Sequence, residues 1–164
     1  MNLSPEKKEN ACKDRTYRLL FDLSMSVGTS LELKEMFDHS LGHYREKLDC
    51  SFASAFMLVK DGVKWFQIPE IAFSGKPDNP GILKKLREIL PDEWDSRSID
   101  NTIEQCPVIF KDPDRGHFSY LFSLKDFGFL FLERWGGPLE DYLLEKLGQV
   151  NHKLAQAGIA CRKK

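Results

Sequence analysis

Near the C-terminus, Leu143, Leu147, Val150, Leu154, Ala157 and Cys161 recur at alternating spacings of four and three. A stripe with that period is the seam of a coiled coil, where a narrow apolar edge meets a second helix. The reading is one long helix over residues 139–161 that uses Leu143, Leu147, Val150 and Leu154 to pair with a second copy of the chain. A homodimer joined through terminal helices is therefore expected. No catalytic constellation precedes the stripe, so the chain reads as a device for passing on a change of shape.

The length of 164 residues fits one domain with helical extensions, enough to bury roughly 70% of the surface its unfolded chain exposes. Twelve Phe and 41% hydrophobic residues supply a core. The 24 basic and 25 acidic residues leave a formal charge of −1, which offers no field to draw nucleic acid or an anionic membrane. Basic residues gather at both ends, Lys7, Lys8, Lys13 and Arg15, then Arg162, Lys163 and Lys164, and read as solvated tails. No apolar run approaches the ~18 residues that a membrane span needs, and residues 1–10 lack the apolar centre of a secretory signal. Cys12, Cys50, Cys106 and Cys161 are scattered without a CxxC pair, which argues against structural zinc and for reduced thiols in the cytoplasm.

Residues 1–12 are polar and read as a flexible lead. A first helix is expected over Arg15–Val27, stopped by Gly28, and a second over residues 31–48, where Leu33, Met36, Phe37, Leu41, Tyr44 and Leu48 keep a period near 3.6. Phe52 to Val59 is apolar on both faces and reads as a central strand, its Ala and Ser residues admitting a helix close by. Asp61-Gly62 predicts a hairpin turn into a strand over 63–73, with Pro69 forcing an edge or a bulge. After a loop over 74–81, Ile82, Leu83, Leu86, Ile89 and Leu90 have helical spacing up to Pro91. Residues 91–105 carry no assignable pattern. Short strands are expected at 106–110, 117–124 and 127–132.

This order resembles the GAF domain, a sensory module of bacterial signalling proteins related to the PAS domain. The resemblance is carried by Leu23-Ser-Met-Ser-Val-Gly-Thr-Ser-Leu-Glu-Leu33 with Met36 and Leu41, by Asp49 to Leu58 as a first strand, by Phe127-Gly-Phe-Leu-Phe-Leu-Glu133 as a last strand, and by Pro138 to Ala155 as a closing helix. It spans most of residues 15–160 and is weakest over 63–115, where ligand pockets of such domains differ. It implies an α+β fold over residues 13–160: a five- or six-stranded antiparallel sheet, the N- and C-terminal helices packed on one face and an insertion helix on the other. It further implies a non-catalytic regulatory domain that binds an unknown small molecule or partner. The signal would leave through the paired terminal helix, by way of residues 161–164, to an output domain such as that of a two-component sensor histidine kinase.

No particular cofactor is implied. The asparagine-lysine motif of cyclic-nucleotide GAF domains has no counterpart, and His152 lacks the acidic and proline neighbours of a phosphoacceptor histidine. A GAF-type free methionine sulfoxide reductase is the alternative within an enzyme class; with Cys12 and Cys161 in terminal helices it would require Cys50 and Cys106 to converge. A purely structural dimerisation module is a second alternative. His39 and His43 stand one helical turn apart without an evident third metal ligand. His117, beside Asp112 and Arg115, reads as a half-exposed strand-end histidine, with a pocket or haem role as the alternative. Trp65, Cys106, Phe118 and Tyr120 are expected to line a small apolar cavity on the helix-covered face.

Overall fold

A computed structural model describes residues 4–61, 65–77, 79–90 and 93–162. The chain runs through α1 (Pro5–Ser26), α2 (Leu33–Lys47), β1 (Phe52–Met57), β2 (Val59–Asp61), β3 (Trp65–Gln67), β4 (Glu70–Gly75), α3 (Pro80–Ile89), β5 (Glu93–Asp95), α4 (Ser96–Gln105), β6 (Val108–Asp112), a 3₁₀ turn at Pro113–Arg115, β7 (His117–Leu124), β8 (Gly128–Trp135) and α5 (Asp141–Arg162). Five strands form an antiparallel sheet in the order β4-β1-β8-β7-β6, and β2-β3-β5 form a small second sheet. The architecture is the expected α+β one.

Strand alternation divides the main sheet into two faces. Ala53 and Ala55 of β1, Phe118, Tyr120, Phe122 and Leu124 of β7, and Leu130 and Leu132 of β8 point toward α1, α2 and α5. Phe52, Leu121, Phe129 and Phe131 point the other way, toward α3 and α4. Both faces of the central strands are buried, which is why β1 and β8 read as unbroken apolar runs rather than as alternating ones. The two Ala side chains leave room for α2, and Gly128 is required because a Cβ there would strike the carbonyl oxygen of Phe56.

The terminal stripe has a different role from the one its period suggests. Leu147 and Leu154 are 0% exposed, and Leu143 and Val150 are buried as well, all within the same core as Leu23, Phe37, Leu41 and Tyr44. Leu143, Leu147, Val150 and Leu154 are thus spent inside one subunit and offer no free seam. A 3-4 spacing fits packing against a helix of the same chain as well as against a partner helix, and α1 and α2 occupy the place a partner would take. Asn151 accepts a buried 2.8 Å hydrogen bond from the Tyr44 hydroxyl, and Lys153 donates to the Ser24 carbonyl at 2.6 Å. Gly158 lets α5 ride over Phe127, whose ring would lie 2.8 Å from a Cβ and which stacks on Phe37 at 5.1 Å.

Three further expectations are corrected. Residues 5–12 are helical, because Ser4 caps Lys7 N–H at 3.2 Å and Pro5 occupies the first helical position. The runs 52–59 and 63–73 each break in two, at Leu58 and at Ile68-Pro69, so that β2 and β3 leave the main sheet; the turn at Gly62 lies outside the described residues. The unpatterned stretch 91–105 contains β5 and α4, the helix being started by Asp95, whose side chain accepts from Ser98 N–H at 2.7 Å.

The internal role of the stripe predicts that Leu147→Ala lowers unfolding free energy by about 2–5 kcal/mol in urea titration without changing oligomeric state. An unaltered midpoint with dissociation of a dimer is the opposite result.

Candidate functional site

A cavity of about 350 Å³ on the α3-covered face lies between α3 and strands β1 and β4. Its roof exists because α3 is strongly two-sided: Ile82 and Leu86 are buried, with Leu83 and Leu90 beside the cavity. Asn79 starts that helix, accepting from Gly81 N–H at 3.1 Å and Ile82 N–H at 3.4 Å, and Pro80 presets its first turn. The floor is Phe52, Ser54 and Phe56 of β1 with Phe73 of β4. Phe52 is almost wholly buried, whereas Phe73 is 60% exposed at the mouth.

Glu70 reaches this floor through a register shift. β1 and β4 pair regularly from Phe52↔Gly75 to Ala55↔Ala72, then Phe56 meets Glu70 instead of residue 71. Ile71 and Ala72 consequently both lean on the α1/α2/α5 core, and Glu70 is brought to the cavity face. Glu70 is exposed at the edge of the cavity. Partial desolvation pushes its carboxyl above the usual range, and the nearby Ser54 hydroxyl, itself buried without a hydrogen-bond partner among the described residues, pulls it partly back. Arg87 of α3 lines the same cavity, so among the described residues its polar side chains are one carboxyl, one hydroxyl and one guanidinium.

A second polar feature lies deeper on the same sheet face, at the far end of β7 and β8. His117 Nε2 and Glu133 Oε1 are 2.8 Å apart and both side chains are 0% exposed. The Trp135 ring lies edge-on to His117 at 4.4 Å. Among the described residues, His117 Nδ1, Ser119 Oγ and Trp135 Nε1 have no hydrogen-bond partner. With Glu133 ionised, Nε2 carries the proton and donates it. His117 is thus an interior histidine rather than a half-exposed one, because β6 and β8 flank its strand on both sides.

Of the four residues expected to share a pocket, the three whose side chains are described do not do so. Phe118 and Tyr120 belong to the helix-covered core, where the Tyr120 hydroxyl accepts from Leu139 N–H at 2.8 Å and anchors the approach to α5. Cys106 is on the opposite face, its thiol donating to the Thr102 carbonyl at 3.3 Å. Trp65 lies in β3 of the small sheet, and its side chain is outside what is described. None of the three placed side chains lines the cavity under α3. The signals for the lining of the cavity under α3 are a glutamate after Pro69 in the strand that forms its floor and the Leu83, Leu86, Leu90 edge of α3.

Cys50 and Cys106 also fail to converge, since they belong to cores on opposite sides of the sheet. Burial pushes their thiols up, to about 12 and about 11, far from the thiolate a nucleophile needs at neutral pH. All four cysteines are free. His39 and His43 touch edge to face at 4.7 Å, and among the described residues no group of three or more His, Cys, Asp or Glu side chains could hold a metal ion. Nor is any helix among them long and apolar enough to cross a membrane.

No family model and no curated protein matches the sequence. Solved structures match the fold along nearly its whole length. The GAF domain of a phosphoenolpyruvate-protein phosphotransferase from Coxiella burnetii is 11% identical with a TM-score of 0.60, covering 91% of this chain and 95% of that one. The GAF domain of the Acinetobacter phosphotransferase is 10% identical with a TM-score of 0.58, covering 90% and 95%. Free methionine-R-sulfoxide reductase from Neisseria meningitidis, solved with its substrate, is 12% identical with a TM-score of 0.59, covering 90% of each chain. The chain has the GAF fold.

The buried pair gives a prediction. His117→Ala strips Glu133 of its imidazole partner at a site without solvent and should cost about 3 kcal/mol of unfolding free energy, with His117→Gln costing less because it keeps a donor. A loss below about 0.5 kcal/mol by chemical denaturation would show that the pair contributes no more than a surface contact.

Proposed function

We propose that this chain is a non-catalytic regulatory domain that binds a small molecule in the cavity under α3 and transmits its occupancy through α5. The cavity itself carries this reading: a volume of about 350 Å³ with aromatic walls and three polar groups is of the size and character that small-molecule sites share. The transmission route runs through β1. Its Phe52, Ser54 and Phe56 form the cavity floor, while Ala53 and Ala55 on the reverse side pack into the core that holds α2 and α5. A ligand that favours one position of β1 therefore biases the helices behind it. The setting is cytoplasmic, and the output is a domain of the sensor histidine kinase type in two-component signalling, joined beyond α5.

In this reading two copies pair, but not through the seam of α5. Tyr17, Phe21 and Met25 stand four residues apart on the outer side of α1 and are 55%, 65% and 63% exposed. Beside them lies a groove of about 360 Å³ between α1 and α5, floored by Leu20 and Val150 and edged by Lys146 and Gln149. An apolar ridge next to a groove on the same face is self-complementary under a two-fold axis, so Phe21 of each copy fills the groove of the other.

Thermal-shift screening against a metabolite library tests the binding role. A ligand at 100 times its Kd adds about 2.7 kcal/mol, which raises Tm by roughly 5–10 °C in a domain of this size, and Leu86→Trp, which fills the cavity, should abolish the shift. A fully folded protein whose Tm no compound moves would instead be a structural module. For the dimer, Phe21→Glu combined with Met25→Glu should give a monomer by sedimentation velocity with Tm unchanged at high dilution. A wild-type chain that sediments as a monomer at all concentrations overturns the pairing.

A further inference from the structure

We infer that the cavity under α3 selects a small zwitterion with a flat apolar body, its protonated nitrogen held by Glu70 and Ser54 and its anionic group by Arg87. The inference rests on the cavity being a ligand site, as proposed above, and adds which chemistry it accepts. Three observations carry it.

The first is the register shift in β4. A regular strand would carry Ile71 to the cavity face and send Glu70 to the helix-covered core; the shift reverses the two. Extra residues of this kind serve to re-aim a side chain. Here the outcome is a carboxylate set among Phe52, Phe56 and Phe73. A carboxylate beside aromatic faces is the surrounding that an organic cation prefers, since ring and anion attract the same charge. The Ser54 hydroxyl, buried and without a hydrogen-bond partner among the described residues, adds an acceptor on the same wall, and an arriving cation offsets the partial desolvation of the Glu70 anion.

The second is Arg87, which faces the same space from α3. Neither Glu70 nor Arg87 forms an ion pair with a described residue. Both side chains are exposed at the edge of the cavity; a molecule that covers them removes their water, and each charge left uncompensated then costs affinity. A simple cation leaves Arg87 unmatched, a simple anion leaves Glu70 unmatched, and a neutral molecule leaves both. Only a ligand with both signs satisfies the lining.

The third is shape. The Phe52 and Phe73 rings stand 6.4 Å apart at a tilt of 39°, and Leu86 and Leu90 close the space from α3. The volume accepts one or two fused rings, and ring against ring is the geometry in which aromatic surface packs best.

Isothermal titration of the full chain with five single-ring probes tests this. The probes are benzyl alcohol, benzylamine, benzoate, 4-(aminomethyl)benzoate, with its charges at opposite ends of the ring, and phenylalanine, with both at one end. At least one of the two zwitterions should bind about tenfold more tightly than the neutral, cationic and anionic probes, the effect of one added charged hydrogen bond. Glu70→Gln should reduce that zwitterion to the level of benzoate, and Arg87→Gln to the level of benzylamine, both variants keeping the wild-type Tm. If benzyl alcohol or a singly charged probe binds as tightly as both zwitterions, the chemistry assigned here is wrong while the cavity remains a ligand site. If none of the five binds at millimolar concentration, the assignment also fails, and the library screen decides separately whether the cavity binds anything.

Discussion

The burial of α5 against the sheet is the contact on which the rest of this structure depends. Leu147 and Leu154 have no exposed surface, and around them close α1, α2 and the inner faces of β7 and β8. The hydrophobic contribution of such side chains is about 1.5–3 kcal/mol each, and the arrangement is oriented rather than merely greasy. Asn151 can accept from Tyr44 at only one rotation of the helix, and Gly158 can pass Phe127 at only one height. Arg134 then ties the start of the helix to the rest, donating to the Leu48 carbonyl at 2.6 Å and to the Gly137 carbonyl at 2.9 Å. A helix so constrained is part of the core that holds it.

That constraint gives the cavity its meaning. The main sheet is one strand layer thick, so every residue facing the cavity has a neighbour in sequence that faces the helices. Phe52, Ala53, Ser54, Ala55 and Phe56 alternate between the two environments. Close-packed interiors do not absorb small displacements smoothly, and the transmission proposed from the cavity floor to α2 and α5 relies on that property. The His117 and Glu133 pair lies at the other end of the same face, holding β7 to β8 by a polar contact among apolar neighbours.

Much of the fold was legible in the sequence. Leu33, Met36, Phe37, Leu41 and Tyr44 announce α2 by period alone, and the both-sides-apolar runs of β1 and β8 announce strands covered on two faces. α3 could be read because Ile82, Leu83, Leu86, Ile89 and Leu90 keep helical spacing up to Pro91. Less legible were the elements that a single local choice decides. The first turns of α1 follow from Ser4 and Pro5 against a background of charge, and α4 follows from the Asp95 cap, with Ile99 as its one buried anchor. The cavity was missed because its lining is shared by three elements, β1, β4 and α3, whose mutual placement no single periodicity gives, and because Glu70 reaches it only through a shift in pairing.

The amino-acid pattern by itself determined α2, α3, α5 and, in outline, the strands of the main sheet, and that each of the long helices has one apolar edge. Only the tertiary structure decided what each edge meets. The spacing of Leu143, Leu147, Val150 and Leu154 demands a helical surface to pack against, and a period cannot say whether that surface belongs to the same chain or to another. The answer came from elsewhere in the sequence: α1 and α2 are long enough, and Ala53 and Ala55 small enough, to fill the place of a partner helix within one subunit.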